Sequence, residues 1–156
     1  LEANPNSYLR FKNEIEQFGQ KIYNFAAWNV DDLEMKLYCP PHNPDSSSLL
    51  EQNGDVVMTN TITIKSLFER EELNFSNYDL LNIDTEGAEL QVLEGIGDEI
   101  RNFTYIIIEV SDLGSEFETK VHEYLTNQGY YLYKESTHHR SSVNGKMFCD
   151  KLYKLI

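Results

Sequence analysis

The stretch TYIIIEV, residues 104–110, limits the fold more than any other part of this chain. Its β-branched residues leave neither side of an extended strand polar, so the pattern predicts a central strand covered on both faces, as parallel sheets require. Around it, strand-like and helix-like segments alternate along most of the sequence. That alternation is the signature of an α/β domain with a largely parallel sheet.

Ahead of this strand, SYLRFKNEIEQF places Leu9, Phe11, Ile15 and Phe18 at helical spacing before Gly19, and KIYNFAAW follows as a strand. Residues 31–55 hold a short alternating piece and then a tract rich in Pro, Asn and Ser, which reads as a surface excursion within a single domain spanning 1–156. VVMTNTITIKSLFEREEL predicts a strand that passes into a helix from Lys65, and DLLNID predicts a compact strand before the helix of GAELQVLEGI, with Gly95 at its possible end. EFETKVHEYLTNQG predicts an amphipathic helix closed by Gly129. YYLYKE and KMFCDKLYKLI then form an antiparallel C-terminal hairpin whose turn pair is Asn144 and Gly145.

Charge excludes several functions. With 13 basic against 26 acidic residues the formal charge is −13, which repels a phosphate backbone, and no local basic patch offsets it, so nucleic acid is not an expected partner. No apolar run is long enough to cross a bilayer, so no membrane partner is expected either. Cys39 and Cys149 lack metal-ligand spacing and suit a reducing compartment, and a cytoplasmic location is the expectation.

In open α/β sheets ligands bind at the carboxyl ends of strands. Glu2, Asp84 and Glu109 occupy such ends, which suggests a common rim. Asp84 also has a plain reading as a helix N-cap, with Glu86 favoured by the helix dipole in the first turn. Both readings stand at this level.

The blocks LEANPNSYLRFKNEI, IYNFAAWNVDDLEMKLY, TITIKSLFER, YDLLNIDTEGAELQVLEGI and YIIIEVS resemble, in that order, those of FkbM-type methyltransferases, which use S-adenosylmethionine. The resemblance spans about the first 110 residues, and IDTEGAE is its most specific part. Two positions depart from the family pattern: Ala3 stands where a proline is usual, and Asn82 where lysine is common.

The resemblance implies a Rossmann-like methyltransferase sheet and O-methylation of a hydroxyl on a small molecule or sugar. It assigns S-adenosylmethionine to Glu2, Asn4, Ala26, Ala27 and Asp84. Glu2 corresponds to the acid that bonds both ribose hydroxyls, the two alanines leave room beside the adenine, and Asp84 faces the methionine end. An acceptor hydroxyl must also lose a proton, for which Asp84, Glu86 and His138 are the candidate catalytic groups, with Glu109 and His139 on the substrate rim. His42 and His122 receive no role.

The resemblance also implies a first strand with a glycine-rich loop, and neither precedes Leu1. The expectation is therefore a sheet missing its first strand, which a longer polypeptide or an associated segment supplies. Two rival readings remain: a non-catalytic interaction domain derived from the same fold, and a Mg²⁺ or Ca²⁺ site gathered from Asp84, Glu86 and Glu109. No ligand spacing demands the second, and no metal ligand is assigned.

Overall fold

The computed structural model describes residues 1–41, 46–50, 54–140, 145 and 147–156, so His42 and Asn144 lie outside the described residues. The helices are α1 (Pro5–Glu16), α2 (Ile64–Arg70), α3 (Glu89–Ile96) and α4 (Glu116–Asn127). The strands are β1 (Ala26–Ala27), β2 (Glu34–Cys39), β3 (Asp55–Ile62), β4 (Leu80–Ile83), β5 (Tyr105–Ser111), β6 (Tyr130–Glu135), β7 (His139–Arg140) and β8 (Met147–Leu155). One sheet has the order β1-β3-β2, the other β4-β5-β8-β6 with β7 paired to β8.

The mixed α/β class follows the sequence expectation, but the pairing is less parallel than predicted. Among the described residues only β1 with β3 and β4 with β5 run parallel, whereas β2–β3, β5–β8, β6–β8 and β7–β8 are antiparallel. An apolar strand pattern records burial, not the direction of its neighbours, and here β8 enters antiparallel between β5 and β6. The β5 residues Ile106, Ile108 and Val110 are fully buried, while Tyr105, Ile107 and Glu109 on the other face are half-buried. The expected double burial is thus complete on one face only.

The core lies between the five-stranded sheet and α3 and α4, where Val92, Leu93, Ile96, Val121 and Leu125 meet Ile106, Ile108 and Tyr153. Tyr130 anchors its lower edge. Its hydroxyl lies 2.6 Å from the carbonyls of both Ile100 and Phe103, and burial pushes its pKa up to about 12, so it stays a donor.

Local chemistry explains where helices begin. Asn4 caps α1 by accepting from Asn6 N–H, with Pro5 at the first helical position, and Thr63 caps α2 by accepting from Ser66 N–H. Ser115 does the same for α4 from Glu118 N–H. The apolar spacing read over this segment does not translate into burial: Leu9 of α1 is 67% exposed, and Phe18, past the helix end, is 73% exposed. Among the described residues β4 has a single neighbour, β5, and Leu80 on it is 51% exposed. The Leu1 end does not pair with β4, and Glu2 N–H donates instead to Tyr23 O at 3.0 Å.

The predicted excursion at 31–55 contains β2, which pairs with β3 over Glu34–Cys39, and Leu37 there is 1% exposed. Part of that segment is core. Gly95 does not end α3 as expected, because the helix runs to Ile96 and Gly97 follows with φ +61°. A glycine stands at 95 because α3 lies against the chain leaving β1: a Cβ there would be 2.2 Å from Trp28 O and 3.1 Å from Asn29 Cα. Gly95→Ala should therefore destabilise the fold by about 1–3 kcal/mol, since backbone must move to admit a methyl group. Urea unfolding of both proteins checks this, with a lowered midpoint and unchanged slope as the expected result.

Candidate active site

At the carboxyl end of β4 the chain turns sharply through Asp84, Thr85, Glu86 and Gly87. Glu86 takes φ +52° and Gly87 φ +103°. A non-glycine residue in the left-handed region is uncommon and needs surrounding structure to hold it.

Glu89 does the holding. Its side chain is 1% exposed, and Oε1 accepts from Thr85 N–H at 3.1 Å, Thr85 Oγ1 at 3.1 Å and Gly87 N–H at 3.0 Å. Burial raises its pKa while those hydrogen bonds oppose the rise. Asp84 is not the helix cap that sequence allowed: α3 begins at Glu89, the cap position is Ala88, and no side chain bonds there. Glu86 likewise precedes the first turn of α3 rather than lying in it. The last glutamate of IDTEGAE, to which sequence reasoning gave no role, is what shapes the turn.

The turn presents Asp84 and Glu86 beside Glu109 of β5, and one carboxylate oxygen from each lies within 4.8 Å of the others. Sheet register accounts for the meeting, because Ile83 pairs with Ile108 and the next residues on both strands are Asp84 and Glu109. Opposite Glu109 across the β5–β8 ladder stands Asp150. Burial and then the charges of Asp84, Glu86, Asp150 and Glu89 push the Glu109 carboxyl from its ordinary 4.5 up to about 7. The Asp84 carboxyl is raised too, by burial at the cleft mouth and then by Asp150. This oxygen-only trio has the chemistry to share a hard divalent cation, and equally to take up a proton.

A cleft runs from this acidic corner to the N-terminal segment. It encloses about 120 Å³ and is lined by Leu1, Glu2, Ala3, Phe25, Ala26, Ala27, Leu37, Ser47, Leu49, Asp84, Thr85, Glu86 and Ala88. Glu2, Ala26, Ala27 and Asp84, drawn from separate segments, thus share one wall. Sequence reasoning missed Phe25, Leu37, Ser47 and Leu49. Ser48 brings the last two in, since its hydroxyl donates to Glu86 O at 2.8 Å and its backbone bridges to Tyr38. A cleft of this volume is smaller than the several hundred Å³ that a drug-sized ligand fills, so a nucleoside-bearing molecule would extend beyond it.

Three expected residues sit differently. Asn4 is 3% exposed and its side chain is committed to α1, to Cys39 Sγ at 3.5 Å and to Ser47 Oγ at 3.4 Å, so it backs the wall without lining it. His138 lies with Glu135 at 3.5 Å and with Cys149, not with the Asp84–Glu86–Glu109 trio. A catalytic role there has no geometric support. His139 pairs with Phe148 on β8, with ring centroids 5.6 Å apart, and is not among the residues that line the cleft.

Glu109 should leave a signature in stability. Its folded-state pKa is raised, so its contribution is fully present below pH 4.5 and is lost as pH rises to about 7. Glu109→Gln cannot ionise and should melt above the natural protein at pH values over 7, with the difference vanishing below pH 4.5. Thermal melts across that range check it.

The Methyltransferase FkbM domain matches residues 1–132. No curated protein and no solved structure matches the chain.

Proposed function

The chain belongs to the FkbM methyltransferase family, and from that premise we propose that it transfers a methyl group from S-adenosylmethionine to a hydroxyl of a small molecule or sugar. The observation that carries the reading is the single cleft joining Glu2 to Asp84. When bound, the cofactor supplies an electrophilic methyl group on a positively charged sulfur.

The residues fit such a guest. Glu2 offers carboxylate oxygens to a ribose diol, which has two donors to give. Ala26 and Ala27 leave a smooth apolar surface for a base, with Phe25 beside them. Asp84 and Glu86 set negative charge on the wall where the cationic sulfur would lie, which favours binding of the cofactor.

Glu109 suits the proton transfer. A carboxyl with a pKa of about 7 is partly ionised at neutral pH, and its oxygen accepts the hydroxyl proton as the acceptor oxygen forms its new bond to carbon. Of the acidic groups in the cluster it is the best matched to that task, and it replaces His138 as the candidate base. Holding the acceptor in line beside it supplies the rest of the acceleration through alignment.

Calorimetric titration with S-adenosylmethionine tests the reading. Binding is expected, and Glu2→Gln should weaken it by about 10- to 100-fold, the worth of a charged hydrogen bond. Glu109→Gln should leave that affinity intact and lower turnover by about 10²- to 10⁴-fold once pooled hydroxylated metabolites and labelled cofactor identify an acceptor. Absence of cofactor binding would leave the interaction-domain reading in its place.

A further inference from the structure

A second group of metal-ligand side chains lies on the opposite face of β8 from Asp150. Glu135 ends β6, His138 follows in the connection to β7, and Cys149 lies on β8. A carboxylate oxygen of Glu135, a ring nitrogen of His138 and Cys149 Sγ are all within 4.8 Å of one another. Two hydrogen bonds tie the end of β6 to β8: Ser136 N–H donates to Asp150 O at 2.9 Å, and Asp150 N–H donates to the Ser136 hydroxyl at 3.0 Å.

We propose that Glu135, His138 and Cys149 form a zinc site that clips the β6–β7 connection to β8. The ligand chemistry selects the metal. Thiolate and imidazole exclude Mg²⁺ and Ca²⁺, which take oxygen, and one sulfur, one nitrogen and one oxygen suit Zn²⁺ with water in the fourth position. Tetrahedral zinc sets such donor atoms roughly 3.3–3.6 Å apart. His138 Nε2 and Glu135 Oε1 are already 3.5 Å apart, so the site needs only a small side-chain contraction toward Cys149.

Lys151 neighbours the site, where it is bonded closely to Glu118 of α4 and reaches Glu135 Oε2 at 3.9 Å. Zinc binding forms Zn–S, Zn–N and Zn–O bonds in place of bonds to water, and the thiol proton leaves to solvent.

Titration of the chain with Zn²⁺ alone should give one-to-one binding with release of one proton, read from the dependence of the calorimetric heat on buffer ionisation enthalpy. Titration with Co²⁺ should give the near-ultraviolet absorption of a thiolate–cobalt bond. Because outer-sphere partners alone are worth about 10- to 100-fold in affinity, Cys149→Ser and His138→Ala should each weaken Zn²⁺ binding by at least tenfold. His138 is 49% exposed, so its alanine variant keeps the fold and decides the matter if the buried Cys149 cannot be changed. The proposal falls if the natural chain shows no stoichiometric binding or no thiolate–cobalt band, or if His138→Ala binds Zn²⁺ as tightly as the natural chain does.

Discussion

A buried carboxylate organises the acidic corner of this protein. Glu89 is withdrawn from water at the start of α3, a position that costs free energy unless hydrogen bonds replace the lost hydration. The backbone N–H groups of Thr85 and Gly87 and the Thr85 hydroxyl supply them to Oε1, while Oε2 is buried without a hydrogen-bond partner among the described residues. The same three bonds hold the chain in the turn where Glu86 adopts a left-handed conformation. Asp84 and Glu86 thereby meet Glu109, and Ser48 fastens its own segment to the Glu86 carbonyl. The cleft wall is a consequence of that turn.

The electrostatic character of the corner follows from how many like charges are brought together. Burial and then the negative charges of Asp84, Glu86, Asp150 and Glu89 move the titration of Glu109 up to about 7. The site therefore favours whatever brings positive charge, whether a proton or a cationic group of a ligand. A chain with a formal charge of −13 reinforces that preference at longer range, although salt screens the distant part within about 10 Å.

Elements set by local chemistry were legible in the sequence. Helices α2 and α4 carry their own caps at Thr63 and Ser115, and the β5 isoleucines announce a strand wherever they are placed. The meeting of Asp84 with Glu109 could be read as well, because each follows an apolar strand run, although β5 continues past Glu109 to Ser111 instead of ending there. What depends on distant partners was not legible. No local pattern says that β8 enters between β5 and β6, that Leu9 of α1 and Phe18 beyond it are exposed, or that Leu37 and Leu49 reach the cleft. Asp84 reads as a cap because aspartate is favoured just before a helix, but α3 starts five residues later with no side-chain cap, and Glu89 bonds the turn ahead of the helix instead. His138 was placed with the catalytic groups on side-chain chemistry alone, which cannot tell which face of a sheet a loop will adjoin.

Strand β8 has a consequence for assembly. It separates β5 from β6, so neither can complete its hydrogen bonding until residues 147–155 have arrived between them. During synthesis this half of the protein must wait, its isoleucine-rich centre unguarded, until that stretch clears the ribosome. Such late, long-range closure is slow and leaves a sticky intermediate open to aggregation or to chaperones.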